Sequence, residues 1–88
     1  MIDGAIFEAI DVELAGMEET QGQKVVELAR RILPNLTAED IRNPHDFPDL
    51  NDPDWQYEDG VLTGIQSVRF ALRAMQRRLQ GADEGLRA

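Results

Sequence analysis

The chain has no cysteine, a single tryptophan and a single histidine. Without cysteine there is no disulfide framework, no thiolate metal site and no cysteine nucleophile. No apolar run exceeds three residues, so the sequence predicts no bilayer-spanning segment and no membrane partner. The first residues lack the basic stretch and the apolar run of a signal peptide, and we therefore expect a cytoplasmic protein.

Basic residues are also scarce. Nine Lys and Arg residues stand against 17 Asp and Glu residues, which gives a formal charge of −8 over 88 residues. This balance argues against nucleic acid as a partner. The length leaves room for one domain and excludes a nucleotide-binding domain paired with a substrate domain. We expect a single helical domain over residues 1–82 and a frayed C-terminal tail over residues 83–88.

The first third of the chain has apolar residues at helical spacing. The predicted first helix, over about 2–17, carries Ile2, Ile6, Ile10, Leu14 and Met17 at intervals of three and four. The polar run 18–22 is interpreted as a connection. A second helix is predicted over 23–33, with its apolar face formed by Val25, Leu28, Ala29 and Ile32 and its end set by Pro34. So short a connection predicts that the two helices pack antiparallel.

Residues 36–41 carry the signals of a helix N-terminus. Thr37 followed by Asp40 resembles a capping box, and Leu36 with Ile41 has the spacing of a hydrophobic staple, so we predict a helical turn over 38–42. Residues 43–57 are interpreted as an ordered loop with irregular turns. Its larger side chains are expected to pack against the helices: Phe47, Leu50, Trp55 and Tyr57. Asp52 or Asp54 is expected to cap the helix that follows.

The third predicted helix is the longest, from about Gln56 to Leu79 or Gln80. Its apolar residues repeat as the a and d positions of a heptad: Val61, Ile65, Val68, Leu72, Met75 and Leu79. Because the two preceding helices are shorter, part of this seam is expected to lack a partner within the chain. The fold prediction is therefore all-α, a small three-helix domain with two short antiparallel helices, a capped turn, an ordered loop and a long C-terminal helix.

Charge is sorted along the sequence. Residues 1–60 hold 15 acidic and 4 basic residues, a balance of −11, whereas residues 61–82 hold four arginines and no acid. Arg69, Arg73 and Arg77 recur every four residues and so share one face of the third helix. We expect this stripe to pair with acids of the first two helices, such as Glu8, Asp11 or Glu27. The alternative is a docking stripe for an acidic partner or for phosphate.

Motifs for catalysis are missing. The sequence contains no His-Glu-x-x-His, no Gly-x-Ser-x-Gly and no phosphate-binding glycine loop, so we predict no catalytic residue, no metal and no cofactor. His45 lies beside Asp46 and ahead of Glu58, which leaves a carboxylate and histidine metal-dependent activity of the 45–58 loop as an alternative. The acidic run that begins at Asp49 lacks the glycine and glutamate that an EF-hand loop requires.

These observations favour a non-catalytic interaction module. We expect a helical protein that binds another copy of itself or another protein, and that self-associates through the third helix. The predicted interaction residues are the six apolar seam residues together with the three arginines of the stripe: Val61, Ile65, Val68, Leu72, Met75, Leu79, Arg69, Arg73 and Arg77. The alternative is a small acidic regulator or inhibitor, similar to an antitoxin, that binds a basic partner protein.

Overall fold

The computed structural model of the chain describes residues 4–43 and 46–87. Four elements follow one another: helix α1 (Gly4–Ile32), the short helix α2 (Ala38–Ile41), a 3-10 turn (Pro48–Leu50) and helix α3 (Pro53–Arg87). No strand occurs among the described residues. The two long helices pack antiparallel as a hairpin, so the all-α prediction is confirmed while its division into three helices is not.

Helix α1 corrects the first prediction. It runs without interruption for 29 residues, and the connection predicted over 18–22 is helical. A glycine inside a helix costs only about 1 kcal/mol relative to alanine. Packing against a neighbour outweighs a cost of that size, and Glu18 and Gln21 of the predicted connection both contact α3. The polar residues that resembled a loop are therefore contacts between the helices.

The start of α2 agrees with the sequence. The Thr37 hydroxyl accepts a hydrogen bond from the Asp40 backbone N–H at 3.2 Å, and the Thr37 N–H donates to the Asp40 carboxylate at 3.1 Å. Leu36 and Ile41 are both buried in the same apolar cluster, as a staple requires. This capping box confirms the predicted helical turn, which spans four residues with Arg42 as its C-cap.

Helix α3 begins earlier than its apolar pattern predicted. Asp52 accepts hydrogen bonds from the backbone N–H groups of Asp54 and Trp55, each at 3.0 Å, so it is the expected N-cap. Pro53 then occupies the first helical position, where its missing N–H has no consequence. The backbone stays helical to Arg87, beyond the predicted end at Leu79 or Gln80. The fraying expected for residues 83–88 stays a prediction.

The buried core lies at one end of the hairpin, which we call the loop end. Its buried members come from α1, the loop, α2, the 3-10 turn and the first turn of α3: Val25, Ala29, Leu36, Ile41, Leu50 and Trp55. Phe47 packs against this cluster at its edge. Tyr57 does not, because its side chain is 70% exposed. The expectation that the 43–57 segment packs against the helices is met by three of the four residues named for it.

The other end of the hairpin, the open end, consists of α1 and α3 alone within the described chain. The molecule measures 56 × 22 × 19 Å. Its radius of gyration is 17.6 Å, whereas a compact domain of this length has a radius of about 12 Å. The elongated shape follows from two long helices with a third layer at only one end, and it leaves much of each helix open to solvent.

Candidate interaction surface

Arg69 of α3 bridges two carboxylates of α1 near the middle of the hairpin. Its Nε and Nη2 donate to the two oxygens of Asp11 at 3.0 and 3.1 Å, which is the bidentate geometry of a guanidinium on a carboxylate. Its Nη1 donates to Glu18. Gln66, one turn earlier on α3, donates to the other Glu18 oxygen at 3.2 Å. We call these four residues the charged clamp.

The helical geometry of α1 explains the clamp. Asp11 and Glu18 are seven residues apart, so they share one face of an uninterrupted helix and lie two turns apart along it. The sequence identified Asp11 as a candidate partner of the arginine stripe, and that pairing is confirmed. Glu18 was missed because it was placed in a connection. Its spacing from Asp11 was the available signal, and it becomes meaningful only once α1 is continuous.

The clamp shifts the pKa values of its members. The hydrogen bonds from Arg69 lower the pKa of the Asp11 and Glu18 carboxyls below their ordinary values, because they stabilise the charged forms. The same two carboxylates raise the pKa of the Arg69 guanidinium. The Arg69 side chain is only 18% exposed, which shields the contact from water. The three charges are therefore paired at every pH where the carboxyls are ionised.

A second polar contact joins the helices nearer the loop end. The Gln21 amide donates to both the backbone carbonyl and the carboxylate of Glu58, at 2.9 and 2.6 Å. Lys24 lies 3.0 Å from the other carboxylate oxygen. The Gln21 hydrogen bond, followed by that from Lys24, lowers the pKa of Glu58. Glu58 is thereby a structural contact between the helices.

The remaining arginines of the stripe differ in their contacts. Arg73 lies 3.6 Å from Asp11 and is about half exposed, so it is a weaker, outer member of the same cluster. Arg77 is exposed and forms no ion pair with a described residue. The expectation of pairing within the chain is met at Arg69 and Arg73, and Arg77 remains available to a partner.

A groove runs along the flank of the hairpin that carries the clamp. It encloses about 820 Å³ between α1, α2 and α3, and Glu18, Gln66 and Arg69 line it together with Asp59. Burial raises the pKa of Asp59, because partial loss of water disfavours its charged form. Apolar side chains, among them Val26 and Leu62, line this groove together with the charged ones.

The opposite flank is apolar and open. Of the predicted seam, Ile65, Leu72 and Met75 are half-buried, whereas Val61, Val68 and Leu79 are exposed, Val68 by 48%. The three exposed residues are separated by 7 and 11 positions, so they lie in one line along α3. Two residues outside the seam make the contacts instead: Leu62 packs against the core cluster and Arg69 binds Asp11 of α1. The seam is thus rotated away from the intramolecular contact, which leaves one edge of it uncovered.

Helix α1 extends this apolar surface. Ile6, Ile10 and Met17 share one face by their spacing, and Ile6 and Met17 are each 53% exposed. Met17 lines a shallow groove together with Val61 and Ile65, which places the exposed faces of both helices on the same side of the hairpin. We call this surface the apolar flank; its exposed members are Ile6, Ile10, Met17, Val61, Val68 and Leu79.

The metal alternative gains no support from the described residues. His45 lies outside them. Glu58 binds Gln21 and Lys24, and the Asp52 carboxylate caps α3. The part of the chain that the structure describes contains no group of three or more His, Cys, Asp or Glu side chains arranged to hold a metal ion. Neither α1 nor α3, as described, combines the length and the apolar character needed to cross a membrane.

Comparison with known proteins places this chain in no family. No family model matches it, and neither a curated protein nor a solved structure is significantly similar to it. The two flanks of the hairpin are therefore the features from which a function can be inferred.

Proposed function

We propose that this protein is a non-catalytic interaction module that self-associates through the apolar flank. Two hairpins that place these flanks against each other form a four-helix bundle, in which α1 and α3 of each copy supply two helices. At the loop end, α2 and the loop cover the two long helices. In this arrangement the helices of the second copy cover them at the open end. The interaction residues are those of the apolar flank, with Ile65, Leu72 and Met75 lying beneath them.

The observation that carries this proposal is the position of the exposed apolar side chains. Isolated exposed apolar residues are ordinary on protein surfaces, but a contiguous row on two adjacent helices is typical of an interface. Asp11, Glu18 and Arg69 lie in the clamp on the opposite flank, whereas Glu13 lines the same shallow groove as Met17. The ion pairs at the centre of the hairpin therefore stay intact when a second copy covers the apolar flank.

The exposed area is large enough for a stable dimer. The chain exposes 6514 Å², whereas a compact monomer of 9.9 kDa exposes about 5,200 Å². The excess of about 1,300 Å² per chain is larger than the roughly 800 Å² per partner that a standard interface buries. A second copy can therefore cover the excess without any change in the hairpin.

The backbone of α3 also permits close approach. Gly60 and Gly64 lie beside Val61 and Val68, and no other described part of the chain comes within 4 Å of the position that a Cβ would take at either glycine. Packing within the hairpin therefore gives no reason for two helix-weakening glycines. Contact with a helix of a second copy does give one, since the absence of a side chain lets two backbones come near.

A pair of substitutions tests the proposal. Val68→Asp places a charge at the centre of the apolar flank, and we expect it to abolish self-association because the charge would be buried without a partner. Phe70→Asp is the matched control: Phe70 is 71% exposed and lies about 200° further round the same helix. Light scattering and sedimentation at increasing concentration measure the mass.

We expect the wild type and Phe70→Asp to approach twice the monomer mass of 9.9 kDa, while Val68→Asp stays at that mass. Far-UV circular dichroism checks that all three remain helical. A wild type whose mass stays at the monomer value from micromolar to millimolar concentration would contradict the proposal. So would a Phe70→Asp variant that dissociates as readily as Val68→Asp.

A further inference from the structure

We infer that the second copy docks head to tail, with the open end of each hairpin beside the loop end of the other. This inference rests on the proposed self-association and specifies its geometry. A two-fold axis perpendicular to the helices, near the middle of the apolar flank, relates the two copies in this arrangement. The alternative is parallel docking, in which like ends lie side by side.

The two ends of the hairpin differ in charge. The loop end, residues 20–60, contains nine acidic and four basic residues, a balance of −5. The open end, residues 4–19 with 61–87, contains seven acidic and five basic residues, a balance of −2. Parallel docking places the two strongly acidic ends together, and like charges at an interface are unfavourable. Head-to-tail docking keeps them apart.

Unpaired charges at the two ends are complementary. Arg78 near the open end and Asp54 at the loop end are exposed and form no ion pair with a described residue. They lie about 80° and 40° round α3 from Val68, at the rim of the apolar flank, whereas Arg77 lies about 180° from Val68 and faces away from the second copy. Head-to-tail docking brings each Arg78 toward the other copy's Asp54. Parallel docking brings arginine toward arginine and aspartate toward aspartate.

The unequal lengths of the two long helices also favour head-to-tail docking. Asp11 faces Arg69 and Arg73, and α1 as described begins seven residues before Asp11, whereas α3 continues fourteen residues past Arg73. About two turns of α3 therefore extend beyond the first described turn of α1. In a head-to-tail dimer these turns lie along the first turns of the partner's α3. In a parallel dimer they meet only each other.

Spin-label distances between copies test the orientation. The chain has no cysteine, so Gln56→Cys and Gln80→Cys each introduce one labelling site. Both positions are exposed and uncharged, and they lie 24 residues apart on α3, about 36 Å along the helix. Pulsed electron paramagnetic resonance measures the distance between copies in each variant alone and in an equimolar mixture.

Head-to-tail docking predicts that the distance between position 56 of one copy and position 80 of the other is the shortest of the three. Short distances between like positions, with a mixed distance of at least the 24-residue rise of about 36 Å, would overturn the orientation and leave self-association standing. No distance between copies, together with a monomer mass by light scattering, would mean that the proposed function itself has failed.

A charge-reversal variant gives a second measurement. Arg78→Glu turns the attraction between the open end and the partner's loop end into repulsion, and we expect the dimer dissociation constant to rise about fivefold. Arg77→Glu is the matched control, because Arg77 lies about 180° round α3 from Val68, and we expect it to change the constant little. In parallel docking Arg78→Glu replaces one like-charge contact by another, and the constant would stay nearly the same. An unchanged constant at low salt therefore contradicts the head-to-tail arrangement.

Discussion

Arg69 is the residue on which the polar contact between the two long helices depends. It was identified in the sequence by its place in a stripe of arginines, and that stripe equally suggested a docking surface for an acidic partner. The structure separates the members: Arg69 and Arg73 bind Asp11 of the same chain, and Arg77 forms no ion pair with a described residue. Equal spacing along a helix therefore does not imply equal roles, because each residue meets a different part of α1.

The clamp makes stability depend on pH in a defined direction. The pKa values of Asp11 and Glu18 lie below the ordinary 3.8 and 4.5 in the folded chain. The stabilisation that these two carboxylates give the folded chain is therefore complete when the pH is above their ordinary pKa values. It is lost as the pH falls through the lowered pKa values of the folded chain. In Arg69→Gln both pKa values return toward the ordinary ones, so this variant loses stability at pH 7 but little at pH 2.

Urea unfolding at pH 7 and pH 2 measures this difference. Arg77→Gln is the matched control, because it removes the same charge from the same helix without touching the clamp. The raised pKa of Asp59 has the opposite effect, because it favours the folded state at low pH. Asp59 is present in all the variants, so its effect cancels when they are compared. Equal losses for Arg69→Gln and Arg77→Gln at pH 7 would contradict the role of the clamp.

Helix α1 illustrates what decides the extent of an element. The polar run with Thr20 and Gly22 has the composition of a connection, and the sequence alone supports two helices there. In the structure Gln21 and Glu18 of this run contact α3, and the helix continues through them. Local propensity differs between helix and coil by about 1 kcal/mol or less per residue. Contacts with a distant segment therefore settle the outcome.

Gly22→Ala tests the continuity of α1. No described part of the chain other than the adjacent helix backbone lies within 4 Å of the position of an added Cβ at Gly22, so alanine fits without strain. If this position is helical, the substitution should stabilise the folded chain by about 1 kcal/mol through helix propensity. Thermal unfolding followed by circular dichroism measures the change. A loss of stability would show that Gly22 lies in a turn rather than in a helix.

The whole molecule is shaped by the unequal distribution of its core. Six buried residues form one cluster at the loop end, where α2 and the loop add a third layer to the hairpin. Toward the open end Phe7 of α1 is buried, but only the two long helices contact each other there within the described chain, and much of their surface faces solvent. Two helices alone bury little apolar area, and burial of that area is the main source of stability. The open end is thus the part that gains most from a second copy.

Association at the apolar flank makes thermal stability depend on concentration. For a dimer that dissociates as it unfolds, a hundredfold rise in concentration adds about 1.4 kcal/mol per chain by mass action. For a domain of this size we expect Tm to rise by about 5–10 °C. Val68→Asp should give a Tm that does not change with concentration. Calorimetry over that range measures both, and a wild-type Tm independent of concentration would argue against the dimer.

The sequence by itself determined the all-α class, the capping box at Thr37, an aspartate N-cap at position 52 or 54, and the apolar and charged positions of α3. These features depend on neighbours within a few residues, or on a periodicity that a single helix displays. Pairing of the arginine stripe with an acid of α1 was also predictable, with Asp11 as one of three candidates; the other two, Glu8 and Glu27, form no ion pair with a described residue. What these local signals cannot give is the rotation of α3 about its own axis.

Tertiary structure alone decided that α1 is one helix, that Tyr57 faces solvent, and that the seam of α3 is turned partly away from α1. Each depends on contacts between residues more than 30 positions apart, such as Gln21 with Glu58 and Arg69 with Glu18. Such contacts involve free energies comparable to local propensities, and they are invisible until both helices are placed. The apolar pattern showed which residues avoid water, and the packing of α1 on α3 decided which of them the chain itself covers.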